Sequence, residues 1–218
     1  MELVITAMTK VGNSVCLAGI NLADYSWVRP TWTYSGGAWP GITYFQSDTI
    51  IKVGDVIRLK QPWRRPIPPH TEDVLTPAFT RVGALDDWDF RFVLRQAVDY
   101  QALDEVMSGE GQRSLCLIQP AQLEVLYADP ENPASTRLGF WLDDRHYNNI
   151  TRKPGFPCTD LRWRAFRRQY GRDIDIYQHD ELFLAIGLTR PYNRVCSPMV
   201  VSVITFPSFR FTLDPSNL

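Results

Sequence analysis

Leu3-Val4-Ile5-Thr6-Ala7-Met8 and Val15-Cys16-Leu17-Ala18-Gly19-Ile20 are two β-rich runs separated by Val11-Gly12-Asn13-Ser14. Such runs on either side of a glycine–asparagine turn predict a β-hairpin at the start of the chain. Asn21 to Ser26 is the next turn, and Trp27-Val28-Arg29-Pro30 leads into a stretch punctuated by Gly and Pro that ends near Ile42. From Thr49 to Leu59 the chain reads as strand again, with Val53-Gly54-Asp55-Val56 as a tight turn or bulge at its middle. Glycine there takes a φ that a β-branched residue cannot, a corner of the kind that small β-barrels carry.

Further along, Trp63 to Pro69 holds Pro66, Pro68 and Pro69 beside Arg64 and Arg65, so it is neither helix nor central strand. Asp86 or Asp87 caps a helix that runs to about Val98, and Tyr100 to Met107 fits a second short one. The glycine-broken Ser108-Gly109-Glu110-Gly111 is the best domain boundary. Strands resume at Ser114–Ile118, Leu123–Tyr127, Arg137–Leu142, Tyr147–Thr151, Asp180–Leu188 and Met199–Phe206, while Asp214 to Leu218 should fray. One helix interrupts them: Thr159 or Asp160 is the N-cap, Trp163, Phe166 and Tyr170 form its buried line, and Gly171 stands at the C′ position. The fold class is all-β with minor helices, divided at 1–111 and 112–218. The alternative is a single α+β domain with one large sheet.

Composition narrows the role. With Lys+Arg 23 and Asp+Glu 24 in 218 residues the formal net charge is −1, which excludes a histone-like basic protein. Cys16, Cys116, Cys158 and Cys196 lie far apart with no CxxC, so neither a zinc site nor a disulfide framework is expected. The chain starts Met1-Glu2 without a basic or apolar leader and has no 18-residue apolar run; the expectation is a cytoplasmic protein with reduced thiols and no membrane partner. No G-x-S-x-G, H-E-x-x-H, Walker A or G-x-G-x-x-G pattern occurs, and no catalytic, metal or cofactor site is expected. His70, His146 and His179 read as solvated surface residues, and the pairs Asp86/Asp87 and Asp143/Asp144 as caps and turns. Asp173-Ile174-Asp175-Ile176 alternates as an edge strand does.

Two segments have a binding chemistry. Arg162, Arg164, Arg167, Arg168 and Arg172 cluster on or beside the second-half helix. Guanidinium forks bind phosphate oxygens bidentately and stack on bases. With Trp163, Phe166 and Tyr170 taking the core, Arg164, Arg167 and Arg168 are expected to point outward as an anion-binding surface. The plain alternative is a solvated face paired with Asp160, Asp173 and Asp175. The second segment interleaves Tyr25, Trp27, Trp32, Tyr34 and Trp39 with Arg29. OB-folds bind single strands on such aromatics inside a positive groove. Here the alternative is a structural corner with Arg29 buried against a carboxylate. Trp63-Arg64-Arg65-Pro66 is a third candidate of the same kind.

The hairpin with Cys16-Leu17-Ala18-Gly19-Ile20, followed by Trp27-Val28-Arg29-Pro30, resembles the opening of bacterial dual OB-containing (DuOB) domain proteins. Phe183-Leu184-Ala185-Ile186-Gly187-Leu188-Thr189-Arg190-Pro191-Tyr192 resembles their late segment, and Thr159-Asp160-Leu161-Arg162-Trp163 looks like a matching connector. Met8-Thr9-Lys10 stands where that family carries an SRK-like run. The resemblance implies two tandem OB-like barrels. It also implies recognition of nucleic acid or nucleotide, often beside bacterial defence genes, and supplies no catalytic residues. Ser14-Val15-Cys16-Leu17 and Ser114-Leu115-Cys116-Leu117 are compatible with such a tandem. The expected function is therefore a non-enzymatic binding module for single-stranded nucleic acid or a nucleotide, with Trp27, Arg29, Trp32, Arg64, Arg65, Arg164, Arg167 and Arg168 as ligand contacts. A protein-interaction or regulatory subunit and a small nucleotide-processing enzyme are the alternatives.

Overall fold

The opening hairpin forms from β1 (Glu2–Val11) and β2 (Ser14–Asn21), paired antiparallel. The structure, a computed structural model, describes residues 1–11, 14–32, 38–40, 45–46, 49–149, 152–171, 179–191, 193 and 195–210. Between Ile5 and Ala7 the register of β1 shifts, because Ile5 opposes Gly19 and Ala7 opposes Ala18. The extra residue, Thr6, is buried, and its hydroxyl donates to the Val4 carbonyl at 3.1 Å. One inserted residue exchanges the two faces of a strand. Leu3, Ile5 and Met8 thereby share one core, while Val4 and Ala7 face another. Gly19 is required opposite the bulge, since a Cβ there would stand 2.4 Å from the Val4 carbonyl oxygen.

The rest of the first half adds β3 (Trp27–Thr31), β4 (Trp39–Pro40), β5 (Phe45–Gln46), β6 (Thr49–Ile50), β7 (Asp55–Lys60), β8 (Trp63–Arg64), β9 (Asp73–Leu75) and β10 (Ala78–Ala84). Its main sheet runs β10-β7-β1-β2-β3-β9-β8, with β4 also on β2 and β5 paired with β6 apart. The β3–β9 pairing is parallel and sets Arg29 opposite Asp73. Gly54, at φ +94°, makes the expected corner into β7. Leu17, Val28, Ile57 and Phe79 fill the concave side with Trp39, whose indole N–H donates to the Pro30 carbonyl at 3.0 Å.

Helices α1 (Asp87–Ala97) and α2 (Gln101–Ser108) link the halves. Asp86 caps α1 by accepting from the Asp89 amide, and Phe90, Val93, Leu94 and Ala97 at i, i+3, i+4, i+7 are its buried stripe. The second half comprises β11 (Leu115–Ile118), β12 (Gln122–Ala128), β13 (Thr136–Leu142), β14 (Arg145–Tyr147), β15 (Phe156–Pro157), α3 (Leu161–Tyr170), β16 (Glu181–Leu188) and β17 (Pro198–Phe206). They form the sheet β11-β16-β17 and the sheet β12-β13-β14 with β15 on β13. A bulge in β17 places Val200 opposite Ile186 and Ser202 opposite Ala185. Val200 and Val203 thus face the core of the second half, and Val201, Ile204 and Phe206 face the first. The molecule is all-β with minor helices.

Among the described residues each β-ladder lies within 1–111 or within 112–218; only isolated bridges, Thr9–Asp160 and Val98–Leu117, cross. Side chains join the halves instead. Val4, Ala18 and Ile20 of the first sheet pack with Leu115, Phe183, Ala185 and Ile204 of the second, and α1 seals the layer with Phe90 and Leu94. Strands buried on both faces have no solvent side to make polar, so β1, β2 and β16 read as near-continuous apolar runs.

Three expectations change. The strand expected at Tyr147–Thr151 comes earlier, at Arg145–Tyr147, because Asp143 (φ +49°) turns the chain sharply and Asn149 (φ +41°) ends the extended run. On α3, capped by Asp160 and ended by left-handed Gly171, Trp163 and Phe166 are buried but Tyr170 is 43% exposed. Arg162 and Arg167 are buried rather than outward, because the helix is wedged between the halves: Leu161 enters the first core while Trp163 enters the second. Asp173–Ile176 and Asp214–Leu218 lie outside the described residues.

Phe183, fully buried in the shared layer, tests whether the halves unfold together. Phe183→Ala should lower the unfolding free energy by about 3–5 kcal/mol in a single cooperative urea transition. Two transitions, one of them unmoved by the substitution, would contradict a shared core.

Candidate functional site

The turn after β2 is tied from within. Asn21 Nδ2 donates to Asp24 Oδ1 (2.8 Å), which also accepts from the Ser26 amide (3.0 Å) and hydroxyl (2.6 Å). These bonds, the Ser26 hydroxyl first, lower the Asp24 pKa. They hold Tyr25 in the left-handed region (φ +57°), a conformation that costs a non-glycine residue on the order of 1 kcal/mol. Tyr25 packs edge-on against Phe92 of α1, ring centroids 6.3 Å apart. Trp27 follows, half-buried, and its indole N–H has no hydrogen-bond partner.

Both rings line a cleft of about 460 Å³ between β3, β8, α1 and β11. Arg64 of β8 reaches the same cleft, exposed, and its positive charge acts on Asp24. Arg113 lines the far side, held by Asp99 (2.5 Å) and Glu105 (3.5 Å). Buried Glu72 closes the base: it accepts from the Ser114 amide (2.7 Å) and hydroxyl (2.9 Å) and from the Leu115 amide (3.0 Å). Burial raises its pKa.

Behind the cleft sits a buried ionic group. Arg29 Nε donates to Asp73 Oδ1 at 2.6 Å, and Arg190, from the other half, places Nη2 2.8 Å from Asp73 Oδ2. Arg29 is 6% exposed, so of the two readings of Trp-x-Arg-Pro the buried ion pair is the one that forms. His70, expected on the surface, is buried beside this group, with the Thr189 backbone near its ring. Burial, reinforced by the charges of Arg29 and Arg190, lowers its pKa from 6.5 to about 4.

The remaining sequence candidates are dispersed. Trp32 is exposed at the end of β3, and Trp39 belongs to the barrel core; Tyr34 lies outside the described residues. Arg65 is exposed, its amide bonded to the Asp73 carbonyl at 3.0 Å. On α3, Arg167 is 6% exposed and its Nε donates to the Pro133 carbonyl at 3.2 Å. Arg164 is half-buried, and burial followed by the charge of Arg168 lowers its pKa. Arg168 is exposed. None of these three lines the cleft.

Sequence reading missed Glu72, Asp73, Arg113 and the pairing role of Arg190. A signal for Arg190 exists: Trp27-Val28-Arg29-Pro30 and Leu188-Thr189-Arg190-Pro191 put an Arg-Pro dipeptide after a long strand in each half. Among the described residues no group of three or more His, Cys, Asp or Glu could hold a metal ion, and no helix is long and apolar enough to cross a membrane.

The chain matches the family model described as the dual OB-containing domain over residues 1–203. No curated protein matches it. Among solved structures it is similar, at 9% identity and TM-score 0.34, to the Ifi202 HINa domain crystallised with 20bp dsDNA, over 94% of this chain and 93% of that one. A second, the tetrameric p202 HIN2, has 9% identity and TM-score 0.29 over 94% and 90%.

Because folded His70 stays neutral down to about pH 4, only the unfolded chain takes up its proton between 6.5 and 4. The contribution is therefore intact above pH 6.5 and lost as pH falls toward 4. Measured as parent minus His70→Gln, the unfolding free energy should drop by roughly 2–3 kcal/mol from pH 7 to pH 4. A difference that stays flat would mean that His70 is protonated or solvated in the fold.

Proposed function

The chain belongs to the dual OB-containing domain family, and from that premise we propose that it is a non-enzymatic module binding single-stranded nucleic acid or a nucleotide in the cleft beside Trp27. The observation that carries the reading is the convergence of Tyr25, Trp27 and Arg64 on one cleft of about 460 Å³. That volume lies in the range of small-molecule sites, roughly 300–1,000 Å³. An aromatic face accepts a base, and Arg64 is placed to take a phosphate. Arg65 and Trp32 are exposed and extend this surface in the reading. Arg168, with half-buried Arg164, forms a separate secondary anion surface, whereas Arg29 and Arg167 act as supports.

The same reading divides the chain at 111/112 and includes a cytoplasmic, bacterial, defence-associated setting. Support for that setting is the family likeness and the free thiols of Cys16, Cys116, Cys158 and Cys196. A second reading, docking of a partner protein, is favoured by the exposure of Trp63 (67%) and Trp88 (76%).

Fluorescence anisotropy with single-stranded, duplex and mononucleotide probes at low salt tests the first against the second. Trp27→Ala should cost about 1–3 kcal/mol of binding, the range for a base–aromatic stack. Arg64→Ala should weaken binding across sequences and flatten the logarithmic salt slope by about 1. Binding that Trp27→Ala leaves unchanged would remove the cleft as the site. Absence of any salt-dependent binding would favour the protein partner.

A further inference from the structure

A second cavity, of about 290 Å³, lies within the layer between the halves. Ala7 and Ala18 of the first sheet form one wall, and Leu115, Met199 and Val201 of the second form the other. The cavity opens partly to solvent and has the volume of roughly ten water molecules. The two alanines leave the space. On the opposite wall Gly187 cannot grow to fill it, because a Cβ there would stand 2.8 Å from Val201 Cγ1. The lining is largely apolar, and such a lining holds water poorly.

Arg29 and Arg190 are among the residues that line this cavity. Arg29 is more than nine-tenths buried; its Nε is committed to Asp73 Oδ1, but its Nη2 has no hydrogen-bond partner. Buried donors without acceptors are rare and costly. The nearby acceptors are already engaged: Arg190 takes Asp73 Oδ2, and both oxygens of Glu72 serve the Ser114 and Leu115 amides and the Ser114 hydroxyl. Two guanidinium groups that both contact Asp73 therefore line one largely apolar cavity.

We propose that this cavity binds a small amphiphilic anion, its apolar body between Ala18, Leu115 and Val201 and its head group on Arg29 and Arg190. The inference goes beyond the nucleic-acid reading, since it concerns a different cavity and a different ligand. The volume admits an alkyl chain of roughly eight carbons. Carboxylate and phosphate head groups share the required chemistry: each offers several acceptor oxygens to guanidinium forks.

Calorimetric titration of the full chain with octanoate, octyl phosphate, octanol and inorganic phosphate tests it. One octanoate or octyl phosphate per chain should bind at least tenfold more tightly than octanol or inorganic phosphate, and the tighter of the two identifies the head group. Ala18→Leu, which fills the chamber, should weaken that anion at least tenfold. Arg190→Gln, at a part-exposed residue that leaves Arg29 on Asp73, should do the same for the anion and leave octanol unaffected. Should Ala18→Leu fail to fold, judged by its melting midpoint, Arg190→Gln and the parent's preference for anion over octanol decide the matter. No saturable uptake of either anion, equal binding of octanol, or unchanged affinity in a folded Ala18→Leu would overturn the proposal. So would an oligonucleotide that displaces octanoate, because the two sites would then be one.

Discussion

Asp73 accepts from Arg29 on one oxygen and from Arg190 on the other, so a single buried carboxylate ties the third strand of the first half to the end of a strand in the second. Arg29 and Asp73 are buried while the Arg190 side chain is 41% exposed, and burying the first two carries a desolvation cost that good geometry only partly repays. Removing Asp73 would leave Arg29 buried without its carboxylate, and sliding one half past the other breaks the Arg190–Asp73 contact, since Arg29 and Asp73 both belong to the first half. The group sets the parallel β3–β9 register, with Arg29 opposite Asp73, and anchors Arg190 just past β16. His70 stays neutral because it is buried beside those two positive charges.

The apolar layer above that group obeys a phase constraint. Two sheets packed face to face, each with a core behind it, require both faces of the central strands to be apolar and each residue to be on the correct side. Each sheet keeps phase with a bulge, Thr6 in β1 and Val201 in β17. Where the layer meets small residues it opens into a cavity, and where it meets the Asn21–Ser26 turn it opens into the aromatic cleft. Their chemistry differs: the cleft pairs aromatic rings with Arg64, and the cavity pairs aliphatic walls with Arg29 and Arg190.

The arginine helix illustrates how a charged segment is divided by its surroundings. Arg162 donates to the Val203 carbonyl (2.6 Å) and stacks on Phe209, and Arg167 reaches the Pro133 carbonyl. Both bury their stems along apolar surface and satisfy backbone acceptors at their tips. Of the four arginines of α3, Arg164 and Arg168 are the ones that keep appreciable contact with solvent. A run of like charge is therefore partly structural here, holding β17 and the Asp129–Ser135 loop to the helix.

The amino-acid sequence alone determined what neighbouring residues decide. The first hairpin, the corner at Gly54, the caps at Asp86 and Asp160 and the stop at Gly171 all depend on turn chemistry or on hydrogen bonds spanning a few residues, and each forms where it was read. The family likeness was legible for the same reason, since its motifs are short strands with their flanking turns. What only the tertiary structure decided are the meetings of distant segments. Arg29 and Asp73 are 44 residues apart, and Asp160 reaches the Val203 amide across 43. No local pattern announces such pairs. Nor could periodicity show which arginines of α3 are covered, because a helix wedged between two halves is buried by segments on several sides. His70, in a proline-rich loop, read as solvated and is buried because the segment around Arg190 folds over it; burial is a sum over the whole chain, and sequence reports only each residue's own preference.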